Sequence, residues 1–345
     1  MADGAGATRA RATDEGGLAV LTPREAGAQT AAVLDSIEQA IVGKRTALEV
    51  VLAGMLAGGH VLLEDVPGLG KTLMARSFAQ AFGLDFKRVQ FTPDLLPADI
   101  TGSYVIDAKG DFVFRAGPIF TNLLLADEIN RTPPKTQAAL LEAMQEHQVS
   151  VEGTTYGLPE PFLVLATANP IEHEGTYPLP EAQLDRFMLR VSLGYPQVEE
   201  EWEVLARRLR RRQEDQTVPA VMDAAGLLAL QRAVEDVSLE DSIGRYCVML
   251  VRATREHRTV MVGSSPRGGL ALMQCSRALA MIRGRDYVVP EDVKAVAIPA
   301  LAHRLVLEPE TWLRRITTAN VLAEVLEQVA APISGMRPTY ADRLA

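Results

Sequence analysis

The chain has 345 residues and a formal net charge of −9, with 48% hydrophobic but only 5% aromatic residues. This length suits one large domain and a smaller one, because single cores stop growing near roughly 250–300 residues. The composition excludes a disordered or fibrous chain, and no apolar run reaches the roughly 18–20 residues that would cross a bilayer. The acidic balance makes nucleic acid an unexpected partner, because its backbone is also negative.

The amino-terminal part begins with a segment that has no periodic pattern. Residues 1–22 are rich in Gly, Ala and charge, which predicts a flexible tail. No hydrophobic signal core follows Met1, so we expect a cytoplasmic protein. From Ala28 to Leu56 apolar residues recur at helical spacing, with a break at 42–44, which predicts two helices.

Short apolar runs follow, at residues 60–64, 86–91, 123–126 and 162–167. Their unbroken apolar character predicts strands of a parallel sheet covered by helices on both faces, and hence an α/β fold. Between them lie alternating segments that predict two β-hairpins. The first pairs 103–107 with 111–115, and the second spans 148–156 with its turn at Glu152-Gly153.

After Tyr195-Pro196 helical patterns continue to the end of the chain. We therefore predict an α/β domain over 23–195 and a helical domain over 196–345. Cys247 and Cys275 show no metal-type spacing, so buried thiols are expected. In the charged run that ends at residue 212, Glu203 and Arg207 stand four apart, which predicts a solvated, salt-bridged helix rather than a nucleic-acid patch.

The segment Gly68-Leu69-Gly70-Lys71-Thr72 lies between a predicted strand and a predicted helix, which is the context of a phosphate-binding loop. Glycines let backbone N–H groups surround phosphates, and the helix N-terminus adds partial positive charge. Lys71 would reach the β and γ phosphates, and the Thr72 hydroxyl would bind Mg²⁺. Pro67 and Leu73 flank the loop. The strict pattern has glycine where this chain has Asp65.

A second motif, a pair of acidic residues, ends the apolar run 123–126. Asp127 is placed to hold the Mg²⁺ shell and Glu128 to polarise the attacking water. An acidic pair of this kind ends strands in many proteins, but together with the Gly-Lys-Thr loop it predicts an ATPase with ATP and Mg²⁺ as its ligands.

These residues resemble the AAA+ ATPases, and among them the MoxR family. The resemblance rests on the stretches 64–68, 127–146 and 181–187, and it extends from about Ile41 to the end of the chain. It implies a P-loop parallel-sheet domain with a helix-2 insert and a pre-sensor-1 hairpin, followed by an all-α lid domain. The two predicted hairpins match these inserts.

The resemblance also implies roles for residues outside the Gly-rich loop and the acidic pair. Asn169 matches sensor 1, which positions the hydrolytic water, and Arg267 matches sensor 2 at the start of a lid helix. Arg186 matches the arginine finger that enters the neighbouring subunit's site, a task that suits an always-charged guanidinium. Arg131 is a second arginine candidate. Val42 and Gly43 match the box that packs the adenine.

In relatives the hairpins project towards a central pore or partner. Tyr104, Val105, Phe112 and Phe114 are therefore candidate contact residues, with packing in a core as the alternative.

The function implied is a chaperone-like remodelling motor, acting as a hexameric ring of one chain with a von Willebrand A-type partner and a protein client. The sequence leaves two alternatives open. An AAA+ nucleic-acid motor or regulator would carry a basic pore hairpin, whereas the first hairpin here has balanced charge. A nucleotide-switched scaffold with little turnover would lack Glu128, Asn169 or an arginine finger, and all are present.

Overall fold

The computed structural model describes residues 20–170, 175–212 and 216–332. Within them the helices alternate with strands as far as residue 191 and predominate afterwards. The strands are β1 (Val61–Glu64), β2 (Phe86–Gln90), β3 (Gly102–Ile106), β4 (Phe112–Ala116), β5 (Leu123–Asp127), β6 (Gln148–Val151), β7 (Thr154–Gly157), β8 (Leu163–Ala168), β9 (Leu189–Val191), β10 (Val260–Val262) and β11 (Val306–Leu307). The helices are α1 (Pro23–Ile37), α2 (Arg45–Leu56), α3 (Lys71–Ala81), α4 (Pro97–Thr101), α5 (Pro134–Glu146), α6 (Glu181–Leu184), α7 (Val198–Arg211), α8 (Ala224–Glu235), α9 (Asp241–Glu256), α10 (Pro266–Ile282), α11 (Pro290–Leu301) and α12 (Thr318–Gln328).

The predicted parallel sheet is confirmed, and it has five strands in the order β2-β5-β8-β1-β9. Strand β9 was not predicted, because a three-residue strand gives too short a pattern to recognise. The expectation that β2 is covered on both faces was wrong. It lies at the sheet edge, where Lys87, Arg88 and Gln90 are exposed.

Alternate residues of the central strands enter two different cores, as the two-residue period of a strand requires. Leu123 and Leu125 of β5 face the core that also holds α1, α2, α3 and the helices after α7. Leu124 and Ala126 face a smaller core with α5 on the other side of the sheet. The sheet is therefore packed between two helical layers, and its strand ends are left free to form a site.

The amino-terminal helices differ in detail from the prediction. Helix α1 begins at Pro23, earlier than expected, because Thr22 and Glu25 form a capping box. It ends at Ile37, and the predicted break before α2 is confirmed. The predicted tail lies, over residues 1–19, outside the described residues.

The carboxyl-terminal half contains α7 to α12, with α10 packed against α1 and α2 of the first half. It also holds the short antiparallel pair β10 and β11, which was not predicted. The proposed boundary near Tyr195 falls between β9 and α7 and stays a prediction. No helix in the described ranges is both long and apolar enough to cross a membrane.

Two side-chain predictions for this half are confirmed. Cys247 and Cys275 are buried free thiols, and burial raises the pKa of each to about 12. Arg207 and Glu203 form the expected ion pair on α7, at 2.8 Å.

Both predicted hairpins are present, and they pack against each other through aromatic side chains. Phe114 of β4 stacks on Tyr156 of β7 with ring centroids 4.1 Å apart, and the hydroxyls of Tyr104 and Tyr156 are 2.7 Å apart. Tyr104 and Phe114 thus form the contact between hairpins. Val105 and Phe112 are exposed. The four candidate contact residues therefore divide into a packed pair and an exposed pair.

His60 joins the start of β1 to two neighbouring elements. Its Nδ1 accepts from the Val164 amide at 3.0 Å, so its Nε2 carries the proton and donates to the Met144 carbonyl at 3.0 Å. The ring is buried, and this burial lowers its pKa to about 4. The neutral imidazole is therefore the form that the fold accommodates.

We predict that the free energy of unfolding decreases as the pH is lowered from 7.5 to 5, and that His60 causes part of this decrease. The folded-state pKa is below the unfolded value, so the unfolded chain takes up a proton first as the pH drops below about 6.5. The expected loss from this group between pH 7.5 and pH 5 is about 2 kcal/mol, recovered as the pH rises. Urea unfolding of the wild-type chain and His60→Asn at both pH values measures it. An equal pH dependence in the two proteins would contradict the assignment.

Candidate nucleotide site

The Gly-rich loop joins β1 to α3 at the carboxyl edge of the sheet. Gly68 and Gly70 have φ of 86° and 80°, in the left-handed region that favours glycine. A Cβ at either position would meet nothing within 4 Å, so the loop surrounds open space at the N-terminus of α3. Lys71 is the first residue of that helix, and Thr72 follows it in the first turn. This arrangement suits an anion.

Asp65, the departure from the strict loop pattern, has a structural role. Its carboxylate accepts from the Ser192 hydroxyl at 2.7 Å, from the Leu193 amide and from the Gly194 amide at 3.4 Å. The side chain is buried. Asp65 therefore fixes the loop to the chain that leaves β9, and it satisfies backbone donors that would otherwise be buried without a partner.

Asp127 ends β5, two strands away from the loop. One carboxylate oxygen accepts from the Thr167 hydroxyl at 2.6 Å, and the other accepts from two nitrogens of Arg88, at 2.6 and 2.9 Å. Asp127 is buried, and these contacts fix the orientation of its carboxylate. Arg88 reaches it from β2, the neighbouring parallel strand.

Glu128 occupies a left-handed backbone conformation, with φ of 57°. For a residue other than glycine this costs about 1–2 kcal/mol. The amide of Glu128 donates to the Thr167 hydroxyl at 2.8 Å, which holds the turn. The carboxylate accepts from Gln90 at 2.6 Å and lies 3.2 Å from the Arg131 guanidinium. Arg131 thus pairs with a glutamate of its own chain.

Lys71 lies within the electrostatic reach of both acidic residues. Its ammonium donates to the carbonyls of Asp65 and Val66, at 2.5 and 3.3 Å. Burial lowers the pKa of Lys71, and the nearby carboxylates of Asp65, Asp127 and Glu128 oppose that shift. The open loop, a cation and carboxylate oxygens within one edge fit a phosphate with a divalent cation such as Mg²⁺.

A cavity of about 580 Å³ is lined by Glu64, the last residue of β1, and by residues of α2, β9, α11 and α12. Gly43 lines it, whereas Val42, half-buried, is not part of that lining among the described residues. Gly43 has φ of 70°, and a Cβ there would overlap the Glu200 carboxylate. Both the positive φ and this overlap favour glycine at this point. The cavity has space for a base beside the loop.

Asn169 directly follows β8, between the two strands that carry the loop and the acidic pair. It is buried, and its carbonyl accepts from the Asn130 side chain at 3.3 Å. The strand order therefore brings Asn169, Lys71, Asp127 and Glu128 to one edge.

Arg186 lies elsewhere, over α5. It donates to the Leu141 carbonyl at 2.6 Å and lines a recess of about 520 Å³ with Glu142 and Glu146. The chain thus turns this arginine towards a surface of α5 rather than into the group formed by Lys71, Asp127 and Glu128.

Asp185, the residue before Arg186, connects it to the helical half. One carboxylate oxygen binds Arg304 at 2.8 Å, and the other lies 3.6 Å from Arg267 at the start of α10. Arg304 is buried and also donates to the Phe187 carbonyl at 2.9 Å. Asp185 therefore links Arg267, which its carboxylate contacts, to Arg186, which follows it in the chain.

Sequence reasoning missed Arg88, Gln90, Thr167, the anchoring role of Asp65 and the link through Asp185. Alternation of polar residues along β2 was a usable signal for Arg88 and Gln90, because the second and fourth residues after Phe86 share a face. Thr167 and Asp185 gave no such signal, since their partners are distant in sequence.

Two family models match the chain. One, described as ATPase family associated with various cellular activities (AAA), matches residues 60–189, and the AAA lid domain matches 252–325. The fold and these matches define a AAA+ ATPase with a parallel-sheet domain and a lid.

The chain is also similar to named relatives and to a solved structure. It is 44% identical to "Chaperone MoxR1" of Mycobacterium tuberculosis, over 86% of this chain and 80% of that one. It is 48% identical to the protein YeaC of Bacillus subtilis, over 87% and 94%. A crystal structure of a candidate ATPase from Cytophaga hutchinsonii is 41% identical, covering 90% of this chain and 97% of that one, with a TM-score of 0.84. The chain belongs to the MoxR family of AAA+ ATPases.

We predict that Asp65→Asn loosens the loop, because an amide cannot accept from the Leu193 and Gly194 donors as the carboxylate does. The expected cost is about 1–3 kcal/mol of unfolding free energy, with weaker nucleotide binding. Urea unfolding and titration with a fluorescent ATP analogue measure both. Ser192→Ala, which removes one donor only, is the matched control. Wild-type values for Asp65→Asn would refute the anchoring role.

Proposed function

We propose that this chain binds ATP at the carboxyl edge of the sheet and hydrolyses it to ADP and phosphate. The observation that carries the proposal is the position of Glu128. It is held in a strained conformation beside Asp127, through Thr167, and Lys71 lies within reach of its charge. Strain retained at an acidic residue next to an anion-binding loop is typical of catalytic sites.

The loop residues would bind the phosphates. Backbone N–H groups from Gly68 to Thr72 surround them at the N-terminus of α3, with Pro67 and Leu73 at the loop ends. Lys71 gives up its donation to the loop carbonyls and binds the phosphate oxygens instead. Mg²⁺, when bound, neutralises phosphate charge, and Thr72 and Asp127 would hold its shell. Gly43, preceded in the chain by Val42, would pack the adenine in the neighbouring cavity.

Glu128 would accept a proton from water as that water attacks the γ-phosphorus, and the bond to the bridging oxygen of ADP breaks. Asn169 would orient the same water. Gln90 and Arg131 both contact one oxygen of the Glu128 carboxylate, Oε2. We infer that these two contacts hold the base in place until nucleotide binds.

The proposed working form is a ring, with six copies as the expected number. Arg186 lies over α5, apart from the loop of its own chain, so it would serve the site of a neighbour. Arg267 would bind phosphate from the lid. Because Asp185 contacts Arg267 and precedes Arg186, a shift of Arg267 would also shift Arg186.

The biological role we propose is chaperone-like remodelling of a protein client. Support comes from family membership and from the relative named "Chaperone MoxR1". A von Willebrand A-type partner is proposed from the family resemblance alone.

Replacement of Glu128 by Gln removes the base and keeps the shape. We expect turnover to fall by at least 100-fold, in line with the usual worth of general-base catalysis, while ATP binding stays within a few-fold of wild type. Phosphate release and binding of a fluorescent ATP analogue measure the two quantities. Glu327→Gln, an exposed change on α12, is the control. Unchanged turnover in Glu128→Gln would remove Glu128 from the mechanism, whereas wild-type protein that binds ATP with scarcely any turnover would favour a nucleotide-switched scaffold.

The action of Arg186 across an interface is tested by mixing inactive chains. Arg186→Ala and Glu128→Gln should each be inactive, but a mixture should regain activity, because some sites combine Glu128 of one chain with Arg186 of the next. A mixture of Arg186→Ala with the double variant is the control and should regain nothing. Equal activity in the two mixtures would mean that Arg186 does not act in trans.

A further inference from the structure

Helix α7 has its polar face inward and its apolar face outward. Val198, Trp202, Leu205 and Leu209 fall on one stripe, since they follow each other at four, three and four residues. They are 77%, 64%, 54% and 70% exposed. None of the residues of α7 is buried. We call these four residues the α7 stripe.

The opposite face of α7 carries the charged residues that attach the helix to the rest of the chain. Arg207 donates to the carbonyls of Glu38 and Gln39, at 2.9 and 3.1 Å, and pairs with Glu203. Glu200 packs on Gly43. The orientation of α7 is thus fixed by polar contacts, and these contacts hold the α7 stripe in solvent.

Such an arrangement exposes a continuous apolar surface on the order of 500 Å², the size of patches that mark interaction sites on soluble proteins. A stable interface buries roughly 800 Å² on each partner, so the α7 stripe supplies more than half of one side.

The same chain carries a groove of matching character. A cavity of about 720 Å³ opens along α9, with Leu239, Val248, Met249 and Met273 as its apolar lining. Glu240 and Asp241 lie at the end where α9 begins, and Arg245 lies one turn further along. We call this the α9 groove. Val248 and Met249 are exposed, as is Trp202 on the stripe.

The charges of the two surfaces are complementary in only one relative orientation of α7 and α9. Helix α7 is acidic in its first turn, at Glu199 and Glu201, and basic in its last, at Arg208, Arg210 and Arg211. An antiparallel approach to α9 brings the basic end of α7 towards Glu240 and Asp241. At about 1.5 Å per residue the acidic end then lies roughly 16 Å further along α9, near Arg252, an exposed residue that pairs with Glu256. A parallel approach would oppose like charges, which disfavours it.

We propose that the α7 stripe of one copy docks, antiparallel, in the α9 groove of a second copy of this chain. Because the two surfaces are different, each copy offers one stripe and one groove, and the contact repeats around a ring. This inference rests on the proposed function, which requires a neighbour at the nucleotide site. It adds the surface by which the neighbour is held.

Sedimentation velocity in ATP, with Glu128→Gln as the parent, tests the contact. Leu205→Glu and Val248→Glu should each reduce the parent's oligomer to monomer and leave fluorescent ATP analogue binding within about three-fold. Met261→Glu, at 55% exposed against 54% for Leu205, should assemble like the parent. A mixture of Leu205→Glu and Val248→Glu should give a dimer, because one stripe and one groove remain intact.

Cross-linking identifies the occupant directly. Native Cys247 and Cys275 are buried, so a short bismaleimide will react with introduced cysteines. Leu205→Cys with Met249→Cys in one chain should give a ladder of cross-linked products, and Leu205→Cys alone should give none.

Three results would overturn the proposal. Oligomers of Leu205→Glu equal to those of the parent would show that the stripe is not the contact. Dimers cross-linked by Leu205→Cys alone would show stripe against stripe. A parent that stays monomeric in ATP would exclude a second copy as occupant, and if the Arg186 and Glu128 mixtures were also equal, the proposed ring itself would fail. Assembly that survives in Leu205→Glu leaves the proposed function intact.

Discussion

The constraint on which the rest of the structure depends is the order of the parallel strands. Because β8 lies between β1 and β5, the residues that follow these strands meet at one edge. The Gly-rich loop leaves β1, Asn169 follows β8, and Asp127 ends β5. Thr167 then ties the acidic pair together, since its hydroxyl donates to Asp127 and accepts from Glu128. Adjacent strand ends, rather than a preformed cavity, create the site.

The same edge is connected to the helical half by a few buried charges. Asp65 fixes the loop to the chain after β9, and Asp185 joins Arg304 and Arg267 of the helical half. Arg186 is the next residue. Asp65 and Arg304 are buried, and a buried charge is costly to leave without its partner, so these connections are firm. Movement of the lid and the position of Arg186 are therefore expected to change together.

Much of the fold could be predicted because its signals are local. The strands β5 and β8 are continuous apolar runs, the hairpins alternate, and Gly-Lys-Thr between strand and helix marks the loop. Strand β9 and the β10–β11 pair were missed because two or three residues give no period. The prediction that both faces of β2 are buried was wrong, because Lys87 and Arg88 were taken as part of an apolar run. Partners such as Thr167, Arg88 and Asp185 depend on strand order, which no local pattern contains.

The central claim is that one chain supplies only part of a hydrolytic site and that a second copy completes it. The most direct test is a cryo-electron microscopy structure of Glu128→Gln with ATP and Mg²⁺. We predict ATP phosphates on the loop from Gly68 to Thr72, with Arg186 of an adjacent copy directed at the terminal phosphate. A nucleotide enclosed by one chain, with Arg186 of every copy remote from any phosphate, would contradict the account.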